Sequence, residues 1–350
     1  MRKTKIIVVD DSAFMRKAIE MMLREESSFE IVATANNGED ALKYIRELKP
    51  DVVTLDIEMP GMTGLEVLER IMKDTPTPVI MISSLSTEGA DETIKALELG
   101  AVDFIPKSLS YVSLDIVKIK DTLIEKIKNI RSLSKSIIKN VMSPRKKLPV
   151  LSLQHDKIGK KIRFIAIGIS TGGPRTLQEV IPRLPKDFPR PVMVVQHMPP
   201  KFTKSLAERL DKMSEVRVKE AEHHDSVKSG TVYIAPGGKH MKLKKNGTSL
   251  QIEISDTPDN TLHRPSVDIM LESIVDIYGS QTLSVIMTGM GKDGLKGSNS
   301  LYGKNGMILS ESEESCVVYG MPKAVVEAGI VDRTEPATNI AEAIMDYVRQ

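Results

Sequence analysis

A single cysteine, Cys316, stands in 350 residues. The chain therefore forms no internal disulfide and no cysteine-ligated zinc site. An excess of one charge is missing as well. The 49 basic and 47 acidic residues leave a formal net charge of +2, too near balance to mark a nucleic-acid binder, although basic residues crowd between Lys135 and Arg163. No apolar run approaches the roughly 18–20 residues that span a bilayer, so membrane insertion is not expected. The opening Met1-Arg2-Lys3-Thr4-Lys5 leads into Ile6-Ile7-Val8-Val9, which is too short for a signal-peptide core and closes on acids. A cytoplasmic protein is expected. No sequence repeat links one half to the other. What is present, 41% hydrophobic and 27% charged residues, is the composition of a soluble globular protein. The length predicts two α/β domains of about 100–200 residues each.

Short β-branched runs alternate with helical patterns from the start. Strands are predicted at residues 6–9, 31–33, 52–55, 79–82 and 102–105, and helices at 13–24, 39–48, 65–73 and 87–99, with Gly38, Gly64 and Gly100 as punctuation. Five βα units in this order predict a doubly wound parallel sheet covered on both faces. A further helical pattern begins near Ser113 and runs toward Asn140, and Ser143-Pro144-Arg145-Lys146-Lys147-Leu148-Pro149 then breaks all periodicity. Residues 4–121, 122–159 and 160–348 are accordingly read as a first domain, a helical extension with a basic linker, and a second domain. In the second, parallel strands are predicted at 164–167, 192–195, 283–287 and 307–309. Shorter strands at 216–219, 231–235, 239–244 and 250–255, with Gly turns, predict that an antiparallel hairpin interrupts the sheet.

Ligands of doubly wound sheets bind beyond the carboxyl ends of the strands, where Asp10, Asp11 and Asp56 fall. Three converging carboxylates repel one another unless a cation neutralises them, and an oxygen-only set suits magnesium better than zinc. Ser83 ends the fourth predicted strand and offers a hydroxyl donor. Lys107 follows the fifth and brings a positive charge to the same rim. Together these five residues are suited to hold an aspartyl phosphate. The segments Asp10-Asp11-Ser12, Leu55-Asp56-Ile57-Glu58-Met59-Pro60-Gly61-Met62, Gly64-Leu65-Glu66 and Ser83-Ser84 resemble those of response-regulator receiver domains, over residues 4–121. The resemblance implies a flavodoxin-like (βα)5 fold with Asp56 as phosphoacceptor. It also implies magnesium held by Asp10, Asp11, Asp56 and the Glu58 backbone, a switch of Ser83, Phe104 and Lys107, and a histidine kinase as phosphodonor. Receivers usually carry proline directly after the lysine, with a cis peptide; here Pro106 precedes Lys107 and Ser108 follows.

Gly168-Ile169-Ser170-Thr171-Gly172-Gly173-Pro174 follows a predicted strand and opens a helix. Ser170 is thereby presented on a tight turn beside backbone N–H groups able to stabilise an oxyanion or a phosphate. A serine nucleophile needs a base, and His197 ends the next predicted parallel strand, which His155, His223, His224, His240 and His263 do not. Asp293, in Thr288-Gly289-Met290-Gly291-Lys292-Asp293-Gly294, lies just beyond another strand and is placed either to orient the imidazole or to cap a helix. The order Ser, His, Asp differs from that of α/β-hydrolases. The glycine-rich turns also permit a nucleotide-binding reading, so the residues alone reach an acyl hydrolase with a phosphoacceptor switch. Ile167 to Pro174, Gln196-His197-Met198-Pro199, Tyr233 to His240, Arg264-Pro265-Ser266-Val267-Asp268 and Leu283 to Gly294 resemble the catalytic domain of the chemotaxis-receptor glutamate methylesterases, the CheB family. The resemblance implies an α/β serine hydrolase domain with a triad of Ser170, His197 and Asp293, assistance from Thr171, an oxyanion hole that includes the Met290 N–H, and no cofactor for the ester chemistry. It further implies methyl-accepting chemotaxis receptors as substrate, with glutamine deamidation as a second activity.

Overall fold

A computed structural model of the chain describes residues 2–107, 115–132 and 162–349. The chain divides into two compact units, each built on a parallel sheet.

In the first unit β1 (Thr4–Val9), β2 (Phe29–Ala35), β3 (Val52–Asp56), β4 (Val79–Ser83) and β5 (Asp103–Pro106) form one parallel sheet in the order β2-β1-β3-β4-β5. The central strands β3 and β4 are buried along their whole length, as near-continuous apolar runs in a doubly covered sheet require. The helices are α1 (Ala13–Arg24), α2 (Gly38–Leu48), α3 (Gly64–Asp74), α4 (Thr87–Leu99) and α5 (Asp115–Ser132). Several start on side-chain caps: Ser12 for α1, Asn37 for α2, Ser86 for α4, and a reciprocal Thr63–Glu66 capping box for α3. α5 runs across the expected boundary at residue 121 and buries Leu123, Ile127 and Ile130. The remainder of the predicted extension and linker lies outside the described residues, as does the peptide bond from Lys107 to Ser108.

The second unit is a seven-stranded sheet, parallel throughout, in the order β14-β13-β12-β6-β7-β9-β8. Its strands are β6 (Phe164–Ile169), β7 (Val192–Gln196), β8 (Arg217–Glu220), β9 (Thr231–Ile234), β12 (Thr282–Ile286), β13 (Met307–Glu311) and β14 (Arg333–Glu335). The expected hairpin is β10 (His240–Asn246) with β11 (Ser249–Ser255), an antiparallel pair forming a sheet of its own. β8 and β9, read from sequence alongside that hairpin, instead extend the parallel sheet. The intervening chain carries one pairing to the next side by side, which a turn-based reading of short strands does not reveal. Three-residue β14 was not expected at all.

The covering helices are α6 (Gly173–Val180), α7 (Phe202–Met213), α8 (Val267–Tyr278), α9 (Leu295–Gly303), α10 (Met321–Glu327) and α11 (Ala337–Arg349). α8 buries Val267, Met270, Leu271 and Ile274, the i, i+3, i+4, i+7 face of an amphipathic helix. In both sheets the chain reverses its direction of winding at the first strand, between β1 and β3 and between β6 and β12. These switch points open crevices at the carboxyl edge. Asp10 and Asp56 flank the first crevice, and Ser170 and Asp293 the second.

Candidate functional site

In the first unit carboxylate oxygens of Asp10, Asp11 and Asp56 lie within 4.8 Å of one another. Asp10 and Asp56 are buried and Asp11 is exposed. Lys107 Nζ donates to Asp56 Oδ2 at 2.6 Å and stands 3.5 Å from Asp10 Oδ2. Burial pushes the Asp56 carboxyl up to about 6 against the pull of Lys107. Asp10 is raised for the same first reason. Burial opposes the charge on Lys107, yet its bonds to the two carboxylates carry its pKa upward on balance. Asp10 Oδ2 is buried and has no hydrogen-bond partner among the described residues. A buried carboxylate oxygen with no hydrogen bond, only the Lys107 charge 3.5 Å away, beside two further carboxylates fits a hard cation with oxygen ligands. Glu58 donates its N–H to Asp56 Oδ1 at 3.2 Å, while its carboxylate accepts from Ser84. Ser83 is buried, and its hydroxyl bonds to Thr93 and to the Gly89 carbonyl on α4, so it is tied to the helix that follows. Phe104 is buried on β5.

In the second unit Ile169 of β6 is opposite Gln196 of β7, so Ser170 and His197 leave neighbouring strands at equivalent positions. The turn after Ser170 depends on Gly172, whose φ of +79° suits only glycine comfortably and whose missing side chain leaves room for Val317. Ser170 N–H donates to the Thr288 carbonyl beyond β12 at 2.9 Å, and Thr288 Oγ1 donates to the Thr171 carbonyl at 2.9 Å. Beneath them lies Glu311, a fully buried carboxylate that accepts from Thr288 N–H at 2.8 Å and from Ser315 at 2.9 Å. The loop then continues through Met290, whose N–H has no hydrogen-bond partner among the described residues.

Asp293 accepts five hydrogen bonds. Its Oδ2 takes His197 Nε2–H at 2.8 Å and Val267 N–H at 2.7 Å. Its Oδ1 takes Ser266 Oγ–H at 3.0 Å, Asp268 N–H at 3.0 Å and Gly294 N–H at 3.1 Å. Burial opposes its charge, but His197 and these N–H groups outweigh burial and hold the carboxyl well below the usual range. Asp293 makes contacts of both kinds that the sequence left open. It pairs with the imidazole, and it receives the first N–H groups of α8, a helix earlier in the chain than the one it precedes. With Nε2 carrying the proton toward Asp293, Nδ1 of His197 keeps its lone pair. That atom is buried and has no partner among the described residues: an imidazole held at one nitrogen and unpaired at the other.

Three neighbours had been given no part in the site by sequence reasoning. His263 stacks on His197 with ring centroids 4.2 Å apart and planes 17° from parallel. Burial, then the charge of His197, depresses its pKa to about 4. Ser266 holds Asp293, and Asp268, pushed up to about 6 by burial with Asp293 close by, accepts from Gly297 N–H at 2.8 Å. The polar run just before the apolar periodicity of α8 was the available signal, since such residues mark helix starts. His263, three residues further back, gave no such signal.

A family model described as CheB methylesterase matches residues 165–344, and one described as response regulator receiver domain matches residues 6–116. A protein-glutamate methylesterase/protein-glutamine glutaminase of Oleidesulfovibrio alaskensis is 46% identical over 98% of this chain and 99% of its own length. One of the same description from Syntrophomonas wolfei is 47% identical over 99% of this chain and 100% of its own. Among solved structures, the catalytic domain of the Thermotoga maritima CheB methylesterase is 49% identical with a TM-score of 0.52, covering 53% of this chain and 97% of that one.

Proposed function

Because this chain belongs to the CheB methylesterase family and carries a receiver domain ahead of the catalytic one, we propose that it hydrolyses glutamate methyl esters on chemotaxis receptors under the control of phosphorylation at Asp56. The observation that carries the chemistry is the pairing of His197 with Asp293 at the strand edge where Ser170 is presented. Ser170 Oγ attacks the side-chain ester carbonyl while His197 Nδ1 accepts its proton. Asp293 keeps the other ring proton in place and stabilises the imidazolium that forms. The Met290 N–H meets the oxyanion, as donors aimed at developing charge do, and Thr171 flanks it. His197 then returns the proton to the leaving methoxide, methanol departs, and water attacks the acyl-serine by the same route. A glutamine side chain enters the same cycle with ammonia as leaving group, which accounts for deamidation as the second activity.

The receiver pocket supplies control. A magnesium ion held by Asp10, Asp11, Asp56 and the Glu58 carbonyl would offset the charge of an incoming phosphoryl group. Asp56 is the acceptor, Lys107 pairs with the phosphate, and Ser83 leaves Thr93 to reach it while Phe104 follows. A histidine kinase of the chemotaxis system is the natural donor. Among the described residues no helix is long and apolar enough to cross a membrane, consistent with an enzyme that works on the cytoplasmic part of its receptors. The deciding experiment is methanol release from methylated receptor membranes with and without a phosphodonor. Release stimulated by phosphodonor in wild type, absent in Ser170→Ala and unstimulated in Asp56→Asn, is expected. Undiminished release by Ser170→Ala would sink the covalent mechanism.

A further inference from the structure

One buried acid stands outside the ester cycle. Glu311 ends β13 with no exposure to solvent, and no cation pairs with it among the described residues. A carboxylate without solvent or counter-ion is costly to charge. Donors from Thr288, Ser315 and Cys316 relieve that cost only in part, and Glu179 of α6 adds to it by repulsion. The Cys316 thiol is itself held protonated by burial. Arg175, buried on the same helix α6, feels the charge of Glu179. Glu335, beside Glu311 in the register of β13 and β14, is paired with Arg333 Nε at 2.8 Å.

What Glu311 holds is the platform of the site. Its Oε2 accepts Thr288 N–H at 2.8 Å. Thr288 is fully buried and ties the reactive turn with its other polar atoms. Its carbonyl takes Ser170 N–H at 2.9 Å, while its hydroxyl donates to the Thr171 carbonyl at 2.9 Å and takes Val318 N–H at 3.0 Å. Gly289, the next residue, packs so tightly that an added Cβ would stand 2.7 Å from Ser170 Cβ, and Met290, the proposed oxyanion donor, follows. At its other oxygen, Oε1, Glu311 meets Ser315 Oγ at 2.9 Å. That hydroxyl also accepts Ala337 N–H at 3.0 Å and lies 3.3 Å from the Ser312 carbonyl. A neutral acid fits this chain of bonds: its carbonyl oxygen accepts from Thr288, its O–H donates to Ser315, and Ser315 donates onward to Ser312.

Resting on the functional reading above, we propose that Glu311 is a positioning residue of the esterase centre and serves it as the neutral acid: it fastens Thr288, and through Thr288 the Ser170 turn and the Met290 loop, without bringing charge beneath them. Ionised, it sets an uncompensated negative charge under the loop whose N–H meets the oxyanion, against the charge that develops there, and it reverses the bond to Ser315. Glu311 touches neither substrate nor reacting atom, so it acts only through Thr288.

The test follows turnover of the soluble ester p-nitrophenyl acetate by the full chain between pH 6 and pH 8, for wild type, Glu311→Gln and Glu311→Leu, at a temperature well below each melting transition. Gln offers a carbonyl to Thr288 and an N–H to Ser315 but cannot ionise. Burial pushes Glu311 up to about 7, so about one part in ten stays neutral at pH 8. Glu311→Gln is expected to match the wild-type kcat near pH 6 and to exceed it roughly tenfold at pH 8, with KM little changed. Other titrating groups, Asp56 and Asp268 among them, are common to both proteins and cancel in the ratio. Glu311→Leu orphans the Thr288 N–H and should lose kcat at every pH; the Gln comparison decides even where Leu does not fold. A ratio of Gln to wild type that stays flat with pH, a Gln variant well below wild type at pH 6, or a folded Leu variant with wild-type kcat would each overturn this role while leaving the esterase reading standing. Ester turnover undiminished in Ser170→Ala would remove that reading and this proposal with it.

Discussion

If Ser170, His197 and Asp293 act as the one unit proposed, their substitutions should not add. Ser170→Ala and His197→Ala are each expected to lower methanol release by several orders of magnitude, with the double variant hardly worse than either. A double variant as slow as the product of the two single losses would mean independent roles. Glu311 makes a different prediction, about stability. Burial raises it from 4.5 to about 7, so the folded protein holds a proton that the unfolded chain releases at lower pH. Its contribution is therefore complete below about pH 4.5 and lost as pH rises through about 7, a swing of about 3 kcal/mol for a shift of this size. Glu311→Gln keeps an oxygen for the Thr288 N–H without the charge. It should melt higher than wild type at pH 8, and the gap should close near pH 5. A gap independent of pH would show that Glu311 does not titrate between those values. Sequence reading put forward Ser170, His197 and Asp293 because each follows a strand, where doubly wound sheets collect function. It gave no part to His263 or Glu311, which are marked only by a ring stack on His197 and by burial beneath the Thr288 loop, and neither property is periodic.

At the scale of elements the sequence was most legible where burial is two-sided. The apolar runs of β1, β3, β4, β6, β7 and β12 stand out because a parallel central strand cannot alternate. It was least legible at the sheet margins, where β8, β9 and β14 are short and their direction is decided by packing of the chain between them. Helix starts were legible through caps, and α3 shows what such a start can do. Its first residue, Gly64, lies so close beneath the Asp56 loop that an added Cβ would stand 1.9 Å from the Asp56 carbonyl oxygen. Gly64→Ala must therefore push the helix and the Asp56 loop apart, at a cost of about 1–3 kcal/mol. The variant should show a lowered melting transition for the receiver and slower labelling of Asp56 by a small phosphodonor. Normal labelling with normal stability would mean that the loop yields without consequence.

At the scale of the whole molecule the two units are proposed to carry separable tasks: the acidic pocket of Asp10, Asp11 and Asp56 lies in the first, and the proposed triad of Ser170, His197 and Asp293 in the second. A fragment beginning near Lys157 should therefore hydrolyse p-nitrophenyl acetate yet be indifferent to phosphodonor, while the intact chain responds and its Asp56→Asn variant does not. A fragment that still responded would place a second phosphoacceptor in the catalytic unit. The winding of the second sheet also sets a timetable. β12 is inserted beside β6 only after β7, β8 and β9 have been made, and Asp293 meets His197 across 96 residues of chain. During synthesis the amino-terminal unit is complete before β6 leaves the ribosome, and domains fold as they emerge. The esterase thus acquires Asp293, the partner of His197, only when its receiver already exists. A chain released early, short of β12, carries the receiver and Ser170 without the partner of His197, so truncated products are expected to have no unsupervised esterase activity.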